Sequence, residues 1–176
     1  MKISNSSFYL GNPALKSTGV QIEWTPEQLQ EYHRCMTDMT YFIRNYMQII
    51  HVDHGKMNFN LYDYQEELLY TYDENRRVIV LSSRQSGKSI TTIGFFLHYI
   101  LFNNYKVVAI LANKGDSARG LLARLKLAYE NLPHWLQQGV VEWNKGRIEL
   151  ENGCVIMAGS TSNSAVRSHA INILFL

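Results

Sequence analysis

Four apolar residues, Val78-Ile79-Val80-Leu81, run without a break into Ser82-Ser83-Arg84-Gln85-Ser86-Gly87-Lys88-Ser89, and a helical apolar stripe opens directly afterwards at Ile90 and Ile93. That is the order strand, loop, helix. Successive backbone N–H groups of such a loop, together with the positive end of the helix, form a cradle for phosphate. In it Gly87 lets the backbone come close, Lys88 reaches toward the β and γ phosphates and Ser89 places its hydroxyl on Mg²⁺. Ser82 stands where the usual pattern has its first glycine. A Gly-Lys-Ser triplet alone would be weak, and its specificity here comes from the apolar run before it and the helix after it. The expectation is an α/β chain that binds a nucleotide through Ser83, Arg84, Gln85, Ser86, Gly87, Lys88 and Ser89.

The alternation continues downstream. A helix is expected from Gly87 to Phe102, a strand at Val107 to Leu111, and an amphipathic helix with Ala118, Leu121, Leu122, Leu125 and Ala128 on one face. Strand-helix-strand-helix order implies a mostly parallel sheet with flanking helices. Shorter strands are expected at Val140 to Trp143, Arg147 to Leu150 and Val155 to Ala158, joined by turns at Asn144-Lys145-Gly146 and Asn152-Gly153, and a buried strand at Ile171 to Leu176. A helix precedes the loop near Tyr62 to Tyr72.

Further upstream, Thr25-Pro26-Glu27-Gln28 offers an N-cap, a proline at the first helical position and a glutamine at the third. Apolar positions Leu29, Tyr32 and Met36, then Tyr41, Phe42, Tyr46, Met47, Ile49 and Ile50, predict two short helices. His51-Val52-Asp53-His54-Gly55 reads as a helix exit rather than a metal site, because Asp53 is the only nearby carboxylate. The first twenty residues show no period and read as an extended arm. The chain therefore divides into an arm with a small helical segment, residues 1–58, and a nucleotide-binding core, residues 59–176.

With 46% apolar side chains and only 3 Pro and 11 Gly, the sequence is not that of a disordered chain. It contains no run of 18 apolar residues and no signal-peptide core, which argues against membrane insertion and secretion and for an intracellular setting. Cys35 and Cys154 form neither a metal-ligand pair nor a disulfide framework, so both are expected to be reduced and structural. Residues 89–176 carry 8 Lys+Arg against 5 Asp+Glu, a net +3 that scattered surface cations would equally produce.

Tyr64-Gln65, ahead of the loop, presents an amide able to pair with adenine N6 and N7 and a ring able to stack on the base; a core tyrosine and a solvated glutamine on an amphipathic helix would give the same residues. These two, Ser83 to Ser89, Leu111-Ala112-Asn113-Lys114-Gly115, Val141 to Gly146 and Ala165-Val166-Arg167-Ser168 follow in an order that resembles the large terminase subunit of large tailed bacteriophages. The resemblance covers nearly the whole chain. It implies a P-loop NTPase fold of the ASCE type and the ATPase part of a motor that drives double-stranded DNA through a portal into a capsid. By that resemblance Lys88 and Ser89 hold ATP and Mg²⁺, Tyr64 and Gln65 form an adenine motif, Arg84 and Lys88 act on the γ-phosphate, and Arg167 senses nucleotide or DNA. The implied partners are DNA, the portal protein, the small terminase subunit and further copies of the motor, in the cytoplasm of the infected bacterium.

In that family the strand corresponding to Ile171 to Leu176 ends in an aspartate for Mg²⁺ and a glutamate that activates water, and a further strand lies between it and the phosphate-loop strand. The sequence stops at Leu176 before any of these. The core is accordingly expected to be incomplete and to lack hydrolysis by itself. A superfamily 2 helicase-like fragment, or a non-catalytic module that binds nucleotide or motor subunits, are the alternatives.

Overall fold

The computed structural model describes residues 7–51, 53–161 and 170–176. Helix α1 (Pro26–Thr37) begins as its sequence requires: Gln28 N–H donates to the Thr25 hydroxyl at 3.2 Å and Thr25 N–H to the Gln28 side-chain oxygen at 3.1 Å. Asp38 then ends α1 and caps α2 (Met39–Tyr46), accepting from Tyr41 N–H at 2.8 Å. Both helices were legible in the pattern. The apolar run after them was not, because Gln48 to Ile50 continues as a strand instead of a helix. β1 (Gln48–His51) pairs antiparallel with β2 (Gly55–Asn58), and Gly55, at φ 67°, takes the left-handed conformation that the turn demands. The histidines read as a helix exit sit in this hairpin turn, with the His51 and His54 rings stacked at 4.9 Å.

α3 (Asp63–Glu74) leads to the extended residues 78–81, the loop, and α4 (Lys88–Phe102), whose buried residues on nearly every turn make it the central helix of the core. β3 (Val107–Ala112), α5 (Gly115–Glu130), β4 (Val140–Trp143), β5 (Arg147–Leu150), β6 (Val155–Ser160) and β7 (Ile173–Phe175) complete the chain. The five-stranded sheet has the order β4-β5-β6-β3-β7. β3 runs parallel to β6 and β7, whereas β5 runs antiparallel to both of its neighbours, β4 and β6. The sheet is thus mixed rather than mostly parallel. The cause is local: Asn144 accepts from Gly146 and Arg147 N–H, and Gly153 adopts φ 75°, so two tight turns send the chain back along its own neighbour.

A second correction concerns Val78 to Leu81, expected as a buried strand. These residues are extended but join no ladder, and the side chains of Ile79 and Leu81 are 98% and 101% exposed. A strand is defined by the neighbour that takes its N–H and C=O groups, and among the described residues none does so here. Among the described residues β7 lies at the edge of the sheet and is bonded to β3 alone.

One apolar cluster runs from Leu15 through Phe42, Ile43 and Met47 to the α4 face, α5 and the inward positions Val108 and Ile110 of β3. A smaller one, Ala109, Val155 and Met157 with Val107, Leu111 and Ile171, occupies the opposite sheet face. The arm is more ordered than its lack of period suggested. Leu15 is buried, Ser17 bridges to Val140, and Gln137, itself 2% exposed, ties the arm down. Its side-chain oxygen accepts from Lys16 N–H at 3.0 Å, and its amide nitrogen faces the carbonyls of Ala14, Tyr129 and Leu132 at 3.0, 3.2 and 3.1 Å. Gln137→Leu keeps the volume and strands these backbone groups, so it is expected to destabilise the fold by about 2–4 kcal/mol. Urea unfolding measures this, and a loss below about 1 kcal/mol, no more than one ordinary hydrogen bond, would contradict it.

Cys35 and Cys154 are free and buried, and burial pushes the Cys35 thiol up to about 12. Neither thiol is poised for chemistry.

Candidate functional site

The first turn of α3 supports the loop. Tyr64 donates its hydroxyl hydrogen to Ser86 O at 2.7 Å, and the Gln65 amide nitrogen approaches the same carbonyl at 3.4 Å. The Gln65 oxygen accepts from Tyr62 N–H at 3.0 Å, and the residue is 2% exposed. Both polar atoms of the amide offered to adenine by the sequence are therefore engaged inside the protein. Arg44 fixes α3 in turn, its guanidinium contacting Glu66 at 2.6 Å and Leu61 O at 3.1 Å. This half-exposed pair is worth little as an ion pair, and its use is to set the angle between α2 and α3.

Within the loop, Gln85 and Gly87 take φ values of 62° and 76°. Alternating hand at successive residues turns neighbouring N–H groups toward one side, the geometry of an anion nest. Gly87 suits its left-handed φ, and a Cβ there would press on the Gln65 amide nitrogen. The hydroxyls of Ser82 and Ser86 are 3.2 Å apart and Ser86 Oγ donates to Ser83 O at 3.1 Å, cross-linking the turn. Lys88 folds back so that its ammonium donates to Ser83 O at 3.0 Å. Ile90 N–H is the first to close onto the helix, at 3.1 Å from Gly87 O, so the N–H groups of Lys88 and Ser89 stand at the unpaired N-terminus of α4.

This loop forms one wall of a cleft of about 780 Å³. Residues 85–90 face residues 48–51 of β1 and Ala123, Arg124 and Leu127 of α5 across it. Lys88 and Arg124 bring positive charge, and among the described residues no Asp or Glu lines the cleft. Of the residues singled out in the sequence, Gln85, Ser86, Gly87, Lys88 and Ser89 line it. Tyr64 and Gln65 lie behind the loop, Ser83 receives the lysine, and Arg84 is exposed with no ion pair to a described residue. Arg167 lies outside the described residues. The wall made by Gln48 to His51 and by Arg124 was missed. The Gly55 turn was the available signal for the first, and nothing in the pattern marks Arg124 among the exposed cations of α5.

A smaller hollow of about 340 Å³ beside α5 is lined by Arg119, Gly120, Ala123, Lys126 and Lys145. Arg119 is paired with Asp116, and Lys126 is held by Asn144 O and lies over the Trp143 ring. Among the described residues no three His, Cys, Asp or Glu side chains gather to hold a metal ion, and no helix is long and apolar enough to cross a membrane.

An open mixed sheet, with a glycine-containing loop feeding its most buried helix and a cleft carrying Lys88 and Arg124 in front of that loop, defines a mixed α/β protein. Over residues 79–176 the sequence matches the family described as terminase large subunit, T4likevirus-type, N-terminal. The chain belongs to that family, and the matched stretch takes in α4, α5 and the whole five-stranded sheet.

Proposed function

We propose that this chain is the nucleotide-binding part of a phage DNA-packaging ATPase, with residues 82–89 as its phosphate loop. The observation that carries the reading is the placement of Lys88 and Ser89 at the open N-terminus of α4, in a loop whose left-handed residues face a cleft lined by no carboxylate among the described residues. Such a cleft suits a triphosphate. Lys88 exchanges its bond to Ser83 O for phosphate oxygens, a short swing for a flexible side chain. Mg²⁺ would be held by the Ser89 hydroxyl together with the nucleotide's own oxygens. There it would neutralise charge on the phosphates.

Arg84, exposed at the start of the loop, is free to turn toward the γ-phosphate, and Tyr64 with Gln65 holds Ser86 so that the loop keeps its curvature. The family implies the rest of the proposal: a core over residues 59–176 that continues into a sheet with one more strand and two catalytic carboxylates, working as an oligomer with portal, small subunit and double-stranded DNA in the infected cell. Hydrogen exchange tests the site. Mg-ATP is expected to protect residues 82–90, and Lys88→Ala to abolish that protection while circular dichroism stays unchanged. Equal protection in a folded variant would remove the site.

A further inference from the structure

We infer that Arg124 of α5 is a second phosphate-binding cation of the cleft, contacting the phosphate chain of the nucleotide from the wall opposite the loop. This rests on the nucleotide reading above. Arg124 lines the cleft together with Lys88, is exposed, and makes no hydrogen bond or ion pair to a described residue. Other arginines are occupied: Arg44 is paired with Glu66, Arg119 with Asp116, Arg147 with Glu142 and Glu149, and Arg34 lies over the Tyr41 ring.

The sequence of α5 explains why Arg124 is left unpaired. The positions one turn away on either side, where a helical ion-pair partner would sit, are Gly120, Leu121, Leu127 and Ala128. Across the cleft, residues 48–51 and 85–90 bring no carboxylate either. Two like charges, Lys88 and Arg124, therefore share one cleft with no compensating acid among the described residues, a distribution that focuses the field on an entering polyanion. The support is rigid. Leu122, Leu125, Ala128 and Tyr129 are fully buried along α5, so the arginine projects from an anchored helix rather than from a loop. Its planar guanidinium keeps its charge and can hold two phosphate oxygens at once, which an ammonium does not match. Lys88 and the loop N–H groups reach the phosphate chain from one wall only, and Arg124 takes oxygens turned toward the other.

The test is a calorimetric titration of the 176-residue chain with Mg-ATP and with magnesium inorganic triphosphate, which carries the phosphate chain without sugar or base. Arg124→Gln is expected to weaken both ligands about tenfold, the range of hydrogen bonds to a charged group. Arg124→Lys should recover only part of the loss, because it restores the charge and not the fork. Arg119→Gln removes one positive charge from the same helix at a residue already paired with Asp116, and should leave both affinities as they are. Arg124→Ala repeats the measurement should Arg124→Gln lose its far-ultraviolet dichroism. Wild-type affinity in a folded Arg124→Gln overturns the inference. So does equal weakening by Arg119→Gln, which would make the effect one of net charge, and so does a loss confined to ATP, which would place Arg124 on the sugar or base. Should wild type bind neither ligand, or Lys88→Ala bind ATP as tightly as wild type, the phosphate-loop reading falls and this inference falls with it. Should Lys88→Ala abolish binding while Arg124→Gln matches wild type, only the assignment of Arg124 falls.

Discussion

Incubated with Mg-ATP, the 176-residue chain is expected to bind the nucleotide and return it unhydrolysed. Cleavage of the terminal phosphate requires an attacking water held in line and relieved of its proton, in addition to a cradle and a cation for the phosphates. The cleft offers two cations, Lys88 and Arg124, but among the described residues no carboxylate lines it. Asp53 lies 3.9 Å from the lining residue His51, and its side chain is 77% exposed in the hairpin turn. A solvated carboxylate at the rim has no fixed relation to a γ-phosphate on the loop. Phosphate release should therefore match that of buffer and of Lys88→Ala. Turnover above buffer that Lys88→Ala removes would overturn the expectation. If Asp53→Asn removed it too, the hairpin would prove to carry the base.

The order of elements and the loop could be read from the residues because both depend on local chemistry. Thr25 and Gln28 cap one another wherever the chain lies, Asn144 closes its own turn, and Gly87 marks a left-handed position that few other residues tolerate. What escaped depends on partners distant in sequence. Gln48 to Ile50 is an apolar run too short to distinguish strand from helix, and only pairing with Gly55 to Asn58 decides it. The arm has no period because it is held by Gln137, more than a hundred positions away, and not by a periodic face of its own.

The same distinction holds within the site. The loop of residues 82–89 is a contiguous stretch, so its sequence displays it. The opposite wall is assembled from β1 and α5, which meet only in the folded chain, and Arg124 looks like any other exposed arginine until the cleft is seen. Gln65 marks the opposite limit. Its residue type and its place before the loop suggested a base reader, and in the fold its amide is 2% exposed and in contact with Tyr62 N–H and Ser86 O. Residue identity constrains what a side chain can bond to, whereas only packing determines which bonds are left for a ligand.

Residues 78–81 supply the other large expected effect. Ile79 and Leu81 have essentially their whole side chains in water, Val80 is 36% exposed, and Leu174 on the edge strand β7 is 52% exposed. Apolar side chains beside unpaired extended backbone template association between chains. The chain is expected to bind ANS and to self-associate at micromolar concentration, the range in which such surfaces aggregate. Replacing both side chains, Ile79→Lys with Leu81→Lys, places like charges on that segment and should return a monomer in sedimentation velocity with reduced ANS fluorescence. Since neither side chain packs against the protein, the urea midpoint should hardly move, within about 0.5 kcal/mol of stability. The pairing of these two readouts is decisive. A large loss of stability would mean that Ile79 and Leu81 are buried in solution and that 78–81 belongs to a sheet after all. Unchanged association would move the sticky surface elsewhere, to the β7 edge or to the sheet face carrying Val107 and Leu111.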